Sequence, residues 1–383
     1  MHLMVLGGGQ NVGASCYFLK LGQSNIILDA GIGIDKEGLI YTPNIHALKT
    51  SPFISSLSQI NEIFISHAHL DHVGYLTHVA KESTQANTYM TAVTKALTKY
   101  QLYDKVYKNE KAKELERLAT KSILDGIISV TYTKTIKFRN YTATFFPAGH
   151  IPGAMMILFE YRNHKILYTG DYSISDSPLT NGGFDLSGYN IDTMIMCGLH
   201  AKHSSYVKNQ NAIYKIIEKI YKQIFIGKSV YCQVNQLTKG VEFLKLLNDF
   251  NQHNTLIYID ENLLNVIEKL EIPILNNNVR LYNPEYMPDL PHVYITSRKA
   301  SKNSHNSSLN YFDYFVMNID FSLHVDFAEI KSFVNQVNAR HVYMVHCEKQ
   351  FNPMDYDIEQ AMIRESDCRS QFIFIDNQEI YKL

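Results

Sequence analysis

Three histidines and one aspartate lie within six residues of the sequence, in the segment His67-Ala68-His69-Leu70-Asp71-His72. Neutral imidazole and carboxylate are ligands that suit zinc, and alternate residues of a loop can point at two adjacent ions. Packing does not require such a density of histidines, and a role in helix capping alone does not explain it. We therefore interpret this segment as the beginning of a metal site.

One hexapeptide cannot complete the coordination shells of two ions, so further ligands are expected at the ends of later strands. His150 lies in a turn rich in glycine and proline, Asp171 follows a predicted strand, and His346 follows another near the C-terminus. Each of these residues alone would be an ordinary turn residue. Together with the hexapeptide they predict a site for two metal ions.

Short apolar strands that alternate with helices are the elements predicted to position these residues. The predicted strand at residues 62–66 leads directly into the hexapeptide, and residues 73–82 have the pattern of a helix. Residues 201–303 alternate between helix and strand patterns, and further strands and helices follow. A chain of 383 residues is long enough for about two packed units.

The composition excludes several classes of protein. Hydrophobic residues make up 45% and charged residues 19%, with a net charge of −1, which argues against long disorder and fibrous repeats. No apolar stretch approaches the roughly 20 residues of a membrane helix, and no signal peptide is visible. The five cysteines form no Cys-x-x-Cys pair, which argues against a disulfide framework and a thiolate zinc site. We therefore expect a reducing, cytoplasmic location.

Positive charge is concentrated between Lys95 and Arg139, where 11 basic residues accompany five acidic ones. One interpretation is a solvated helix face with opposite charges paired at helical spacing, such as Asp104 with Lys108. The other is a surface that contacts phosphates. The sequence leaves both open.

The metal-site motifs resemble those of a known family. The hexapeptide, the segment Ala148-Gly149-His150-Ile151-Pro152-Gly153-Ala154 and the segment Thr169-Gly170-Asp171 resemble the second, third and fourth motifs of the metallo-β-lactamase fold. Asp29-Ala30-Gly31, after a predicted strand, resembles the first motif. Residues 8–17 are similar to the opening of the β-CASP branch, the nucleases that include RNase J and the cleavage and polyadenylation endonuclease.

Later segments resemble the same branch. Residues 233–244 resemble its Gly-Arg-x-Gln-Glu motif, with Thr238-Lys239 where Gly-Arg is usual. Phe321-Ser322-Leu323-His324-Val325-Asp326 resembles its Ser-x-His-x-Asp motif B, and Val345-His346-Cys347-Glu348 resembles its His-Gly-Glu motif C. The family has an acid as motif A, whereas the corresponding position here is Cys197.

The resemblance implies an α/β fold, namely a metallo-β-lactamase αββα sandwich with a shortened, inserted β-CASP-like α/β cap domain. Residues 1–200 would form the first part of the metallo-β-lactamase core, residues 201–310 the cap, and residues 311–383 the C-terminal part of the core. Because the stretch from Cys197 to His324 is shorter than the usual insertion, we expect a reduced cap. The substrate cleft would then be more open, or a partner would complete it.

The resemblance also implies a role for each motif residue. The ligands of one zinc would be His67, His69 and His150, those of the second would be Asp71, His72 and His346, and Asp171 would bridge the pair. Mn²⁺ is an alternative metal. Asp29 would orient a ligand histidine without binding metal. His324 would act as the general acid, so that Asp71, Asp171 and His324 are the residues implied in catalysis.

Such a site would hydrolyse a phosphodiester. Two zinc ions about 3.5–4 Å apart hold the phosphate, and a bridging water whose pKa falls from about 15.7 to near 7 is the nucleophile. His324 would protonate the leaving oxygen. Because Cys197 stands in the position of the motif A acid, His324 would be less well oriented and more easily neutral.

Contacts to the substrate are predicted at fewer positions. Ser322, Lys239 and the loop of residues 297–303 offer hydroxyl groups and cations to phosphates, although ordinary solvated residues would have the same composition. No appended RNA-binding module is visible, so any sequence selectivity would come from a partner or from the shape of the nucleic acid.

The leading hypothesis is a zinc-dependent phosphodiesterase that hydrolyses RNA, with DNA as a second substrate class. One alternative is a metal-dependent hydrolase of a small ester, thioester or phosphodiester, which would not need His324 in a motif B setting. Another is a non-catalytic subunit of a nucleic-acid-processing assembly. The sequence leaves open a homo-oligomer, a partner subunit, and whether cutting is internal or from an end.

Overall fold

The computed structural model describes residues 1–103, 110–208, 211–234, 237–251, 254–273, 278–283, 289–297, 314–319, 321–348, 352–364 and 370–383. The chain divides into two compact units. Unit 1 comprises Met1–Asp176, Thr180–Val207 and His324–Leu383, and unit 2 comprises Ser177–Leu179 and Lys208–Leu323. The domain division predicted at residues 200 and 310 stays a prediction.

Two seven-stranded sheets form the centre of unit 1. The strands of the first sheet, in spatial order, are Ile380–Lys382, His2–Gly7, Cys16–Leu21, Ser24–Leu28, Glu62–Phe64, Asn87–Thr91 and Ile128–Val130. The strands of the second are Gln371–Phe374, His341–Val345, Thr193–Cys197, His164–Tyr168, Met155–Tyr161, Thr142–Pro147 and Thr135–Lys137. Each sheet combines antiparallel with parallel pairs. A short antiparallel pair, Gly33–Ile34 with Ile40–Tyr41, accompanies them.

The two sheets bury one face against each other. Their shared core contains Tyr17 and Phe64 from the first sheet and Phe145, Phe159 and Tyr343 from the second. Apolar residues alternate along these strands, so one side of each strand enters this core. The rings of Phe64 and Phe159 meet edge to face at 5.5 Å. This packing fixes the strand ends that carry the metal-ligand candidates.

Helices cover the outer faces of the sandwich. The helices of unit 1 are Ile45–Lys49, Leu70–Val73, Leu76–Glu82, Ala92–Tyr103, Glu110–Asp125, Phe327–Val337 and Ile358–Arg364. Leu48, Val73 and Leu76 join the other face of the first sheet in a second core. Phe333, on the helix Phe327–Val337, packs on Tyr172 with ring centroids 4.6 Å apart. The predicted αββα sandwich is therefore confirmed.

In its described residues, unit 2 is a five-stranded parallel sheet with helices. Its strands, in spatial order, are Val279–Leu281, Ile257–Ile259, Val293–Thr296, Ser229–Val234 and Tyr314–Ile319. Its helices among the described residues are Ala212–Phe225, Leu237–Asp249 and Glu261–Lys269. All strand pairs are parallel, as expected for alternating strands and helices. The predicted α/β character of the inserted segment agrees with this sheet.

One sequence prediction about a helix differs from the structure. The helix predicted at residues 73–82 is split into Leu70–Val73 and Leu76–Glu82, with Gly74 at the end of the first piece. The predicted pair of Asp104 with Lys108 lies outside the described residues.

A buried glutamate is a feature of unit 2. Glu242 lies in the helix Leu237–Asp249, is fully buried, and accepts a hydrogen bond from the Ser177 hydroxyl at 2.6 Å. Its other carboxylate oxygen and the Thr238 hydroxyl, one helical turn earlier, are buried and have no hydrogen-bond partner among the described residues. Burial raises the pKa of Glu242 to about 7, although the bond from Ser177 opposes this shift.

Glu242→Gln is expected to stabilise the protein at pH 8 and not at pH 4. The folded pKa lies above the usual value of 4.5, so stability is lost as pH rises from about 4.5 to 7. Glutamine removes this loss, and the gain at pH 8 is expected to be about 3 kcal/mol. Urea unfolding at both pH values measures it. The exposed Glu268 provides the control variant Glu268→Gln. If the free energy of unfolding depends on pH equally in Glu242→Gln and in the wild type, the account is contradicted.

Candidate metal centre

The predicted metal ligands of unit 1 lie in loops that follow strands of the two sheets. The hexapeptide follows Glu62–Phe64, His150 follows Thr142–Pro147, Asp171 follows His164–Tyr168, and His346 follows His341–Val345. Because the sandwich fixes where these strands end, residues distant in sequence converge in space.

Backbone hydrogen bonds join these loops to one another. The amide of Ser15 donates to the carbonyl of Asp71 at 2.9 Å, and the amide of Ala30 donates to the carbonyl of His72 at 2.8 Å. Gly31 lies against the same loop, where a Cβ atom would be 1.7 Å from the carbonyl oxygen of Asp71. A side chain at position 31 would therefore displace the hexapeptide.

Two residues of the site have the left-handed backbone conformation that non-glycine residues rarely adopt. Asp29 has φ = 58° and His346 has φ = 55°. Such conformations cost about 1–3 kcal/mol each and persist where surrounding structure holds them. Here the amide of Asp29 donates to Phe64 at 2.8 Å, and the amide of His346 donates to Gly8 at 2.7 Å.

The first group of candidate ligands contains three histidines and Asp171, all buried. Nε2 of His67 and Nε2 of His150 each lie 3.8 Å from Oδ2 of Asp171. Nε2 of His150 lies 3.2 Å from Nδ1 of His69. One donor atom from each of the four residues lies within 4.8 Å of all the others, which is the spacing expected around a single cation.

The second group contains Asp71, His72, His346 and again Asp171. Nε2 of His72 lies 3.4 Å from Oδ2 of Asp171 and 3.9 Å from Oδ2 of Asp71. Nε2 of His346 lies 3.7 Å from the same oxygen of Asp71. Asp171 therefore belongs to both groups, and the structure brings all seven predicted ligands together.

Asp29 controls the histidine tautomers from behind the ligands. Its carboxylate lies 2.7 Å from Nδ1 of His72, accepts from the Ser66 hydroxyl at 2.7 Å, and accepts from the Tyr168 hydroxyl. Because a carboxylate only accepts, Nδ1 of His72 carries the proton and Nε2 offers a lone pair to the site. The Ser66 hydroxyl donates its proton to Asp29, so it accepts a hydrogen bond from Nδ1 of His67 at 3.0 Å. Nδ1 of His67 therefore also carries the proton, and its Nε2 offers a lone pair to the site.

The charges of the cluster favour the metal-binding protonation states of Asp171 and His67, whereas they favour the protonated form of His72. Burial raises the pKa of Asp171, but the surrounding histidines, with His72 first, hold it well below its usual range. Burial and the neighbouring His72 lower the pKa of His67 well below 6.5. Burial also lowers the pKa of His72, but nearby carboxylates outweigh it and the net shift is upward. Asp171 is therefore ionised and His67 neutral.

Several buried nitrogen and oxygen atoms that could bind metal have no hydrogen-bond partner among the described residues. These are Nε2 of His67, Nε2 of His72 and both carboxylate oxygens of Asp171. An unpaired buried polar group costs about 1–3 kcal/mol, and more if it is charged. Divalent cations held by nitrogen and oxygen donors would satisfy these atoms. The cluster is therefore able to bind metal.

His324 and Cys197 border the two groups. Nδ1 of His324 lies 3.7 Å from Oδ2 of Asp171, and its side chain is about one-fifth exposed. Cys197 ends the strand Thr193–Cys197 and is buried, and burial raises the pKa of its thiol well above the usual value. The position predicted for the motif A acid thus holds a neutral thiol. Burial also lowers the pKa of His324 well below 6.5.

Sequence reasoning missed Ser66 and Tyr168 as residues that support the site. Ser66 precedes the hexapeptide directly, and Tyr168 lies three residues before Asp171. Both contact Asp29, which the resemblance did identify. Their adjacency to the motifs was the available signal, but a hydroxyl group next to a ligand has many other uses.

The predicted substrate contacts Ser322 and Lys239 belong to unit 2. The Lys239 ammonium group lies 5.7 Å from the centre of the Phe321 ring. Of the predicted loop, residues 298–303 lie outside the described residues. Contact of these residues with substrate stays a prediction.

Comparison with known proteins identifies one domain of the chain. Residues 9–195 match the family described as the metallo-beta-lactamase superfamily, and this range contains six of the seven candidate ligands. The chain carries a metallo-β-lactamase superfamily domain. The predicted resemblance to this fold and to its β-CASP branch is confirmed by the match and by the relatives that follow.

Named relatives come from archaea and eukaryotes. The chain is 32% identical over 265 residues to "Probable RNase MJ4" of Methanocaldococcus jannaschii, covering 68% of this chain and 59% of the relative. It is 28% identical over 304 residues to "Endoribonuclease ysh1" of Schizosaccharomyces pombe, covering 75% of this chain and 38% of the relative. It is 29% identical over 264 residues to "Cleavage and polyadenylation specificity factor 73" of Drosophila melanogaster, covering 66% and 36%.

The chain thus spans between 36% and 59% of the length of these relatives. Among solved structures, a protein of unknown function from Enterococcus faecalis V583 matches with a TM-score of 0.65 and 12% identity. It covers 100% of this chain and 99% of that chain, which shows the fold alone. In the described part of the chain, every helix is too short or too polar to cross a membrane.

Asp29→Asn is expected to weaken metal binding about 10–100-fold, the usual effect of removing a partner of a ligand histidine. The amide can place an N–H where His72 and Ser66 now donate, so the tautomers of both ligand histidines are disturbed. Competition with a chromogenic chelator measures the affinity. The exposed Asp35 gives the control Asp35→Asn, which should bind as the wild type does, and unchanged affinity in Asp29→Asn would overturn the role of Asp29.

Proposed function

We propose that this chain is a metal-dependent ribonuclease that hydrolyses phosphodiester bonds of RNA. The observation that carries the proposal is the cluster of seven side chains, six of them buried, whose donor atoms form two groups joined by Asp171. The family match and the relatives named as ribonucleases support it. A small-molecule hydrolase or a non-catalytic subunit has no specific observation in its favour.

Zinc is the metal we propose, with Mn²⁺ as the alternative. His67, His69 and His150 would hold one ion, Asp71, His72 and His346 the second, and Asp171 would contact both. Imidazole and carboxylate donors suit zinc at both positions. The ions, when bound, supply Lewis-acid polarisation of the phosphate and a water of lowered pKa.

The side chains around the ligands have their own tasks. Asp29 and Ser66 keep the lone pairs of His72 and His67 directed into the site. His324 is the proton donor proposed for the leaving oxygen, since its ring borders Asp171 and is still partly exposed. The ionised Asp171 favours the protonated ring of His324, whereas burial and the neutral Cys197 thiol do not.

Further parts of the proposal concern substrate and surroundings. Ser322 and Lys239 would contact phosphates of the RNA chain, and residues 201–310 would form a reduced cap. The relatives include a protein named for cleavage and polyadenylation, which supports RNA processing as the setting. A cytoplasmic location, and a partner subunit or a second copy of the chain, complete the proposal.

The purified chain is expected to cleave end-labelled single-stranded RNA and to lose this activity in the presence of a chelator. Asp71→Asn should reduce cleavage at least about 100-fold, because Asp71 belongs to the second ligand group. Asp192→Asn, outside the cluster, serves as the control. Gel analysis of products, with DNA and a panel of small esters and thioesters in parallel, measures the activity. Turnover of the small molecules alone, or of none of these, would reject the proposal.

His324→Ala is expected to lose most turnover, about 100-fold or more, while its metal content stays that of the wild type. The physical reason is that the variant removes the proton donor and leaves all seven ligand side chains in place. Single-turnover cleavage and elemental analysis of the same preparation measure the two properties. The matched control is His341→Ala, at the other end of the strand that precedes His346. Normal cleavage by His324→Ala would exclude it as the proton donor.

A further inference from the structure

An open apolar groove lies beside the helix Ala212–Phe225 of unit 2. Its volume is about 680 Å³, and aromatic rings form much of its lining, among them Tyr214, Tyr221, Phe225 and Phe250. Phe225 is 90% exposed, and Tyr214 and Phe250 are each 45% exposed. Most large aromatic side chains are buried on folding, so three exposed rings at one place indicate a binding surface.

Helical geometry arranges these rings in a line. Tyr214, Tyr221 and Phe225 are separated by seven and four residues, so they share one face of the helix. Phe250, just after the helix Leu237–Asp249, meets Tyr214 edge to face with ring centroids 5.4 Å apart. The rings therefore form an aromatic stripe along this face, with Phe250 packed at its Tyr214 end.

A line of lysines runs beside this stripe. Lys215 and Lys222 directly follow Tyr214 and Tyr221, Lys219 lies between them, and all three lysines are exposed. With Lys228, the segment from residue 212 to residue 228 contains four lysines and one glutamate, a local charge of +3 in a chain of net charge −1. Glu218 pairs with Lys222 at 2.6 Å, so the excess charge resides mainly on the other lysines.

Exposed aromatic rings next to lysines match the chemistry of single-stranded nucleic acid. Every base offers a π-face for stacking, and the phosphates that follow at regular intervals attract the cations. We propose that Tyr214, Phe225 and Phe250, with the lysines beside them, form a binding surface for single-stranded RNA on unit 2. This inference rests on the proposed function, since it adds a second contact to the same substrate.

A protein partner would also cover an apolar groove, but the lysines disfavour it. Protein–protein interfaces are enriched in aromatic residues and arginine and depleted in lysine. Here the charged residues beside the rings are lysines, and the segment contains no arginine. The positive charge complements phosphates, and stacking on the rings does not depend on base sequence. RNA is therefore the occupant that these observations favour.

The test is binding of the intact chain to a fluorescein-labelled 20-nucleotide oligouridylate with phosphorothioate linkages, followed by fluorescence anisotropy. Tyr214→Ser combined with Phe225→Ser is expected to raise Kd about tenfold, from the loss of stacked bases. Lys215→Gln combined with Lys219→Gln is expected to flatten the slope of log Kd against log salt by about 1.4. Leu290→Ser, at an apolar position of unit 2 that is 67% exposed, is the matched control.

Two further measurements separate the possible failures. Hydrolysis of bis-p-nitrophenyl phosphate reports on the metal site, and the surface variants should leave it unchanged. If the wild type binds the oligonucleotide, the double variants weaken this binding and no RNA is cleaved, the binding surface stands and the proposed function fails. If both double variants bind as the wild type does, the surface is overturned. Sedimentation velocity provides a second way to overturn the RNA surface. If the wild type is a dimer, and Phe225→Ser is a monomer that binds RNA as the wild type does, the groove is a surface for self-association.

Discussion

A buried carboxylate surrounded by histidines is the interaction on which the site depends. Asp171 is 2% exposed, and its Oδ2 atom lies within 3.8 Å of nitrogen atoms from His67, His72, His150 and His324. An isolated carboxylate in the interior would cost several kcal/mol or would take up a proton. The histidines keep it ionised instead. Both ligand groups contain this residue, so neither can form its full set without it.

The remainder of unit 1 serves to bring these groups together. The ligands come from both sheets of the sandwich, and the core around Phe64 and Phe159 holds the sheets face to face. Loops joined by backbone hydrogen bonds tolerate the left-handed conformations of Asp29 and His346. Backbone strain of this kind is retained where the fold fixes functional residues. The stability of the sandwich therefore maintains the spacing of the ligands.

The sequence predicted the ligands better than it predicted their support. His67, His69, Asp71 and His72 are adjacent in the chain, and such density has few explanations other than metal. His150, Asp171 and His346 were expected from their places in a turn and after predicted strands, and Asp29 was found because its motif resembles a family. The hydrogen bonds of Ser66 and Tyr168 depend on the distance between two strands, which local sequence does not specify. Packing also sets the split of the helix at Gly74 and the strand Asn87–Thr91. The sequence patterns predicted neither feature.

X-ray diffraction from crystals of the purified chain, recorded on both sides of the zinc absorption edge, tests the central claim most directly. The account predicts two anomalous peaks, one among His67, His69 and His150 and one among Asp71, His72 and His346, with Asp171 touching both. Crystals soaked in zinc that show no peak in this cluster, or a single peak away from Asp171, would contradict it.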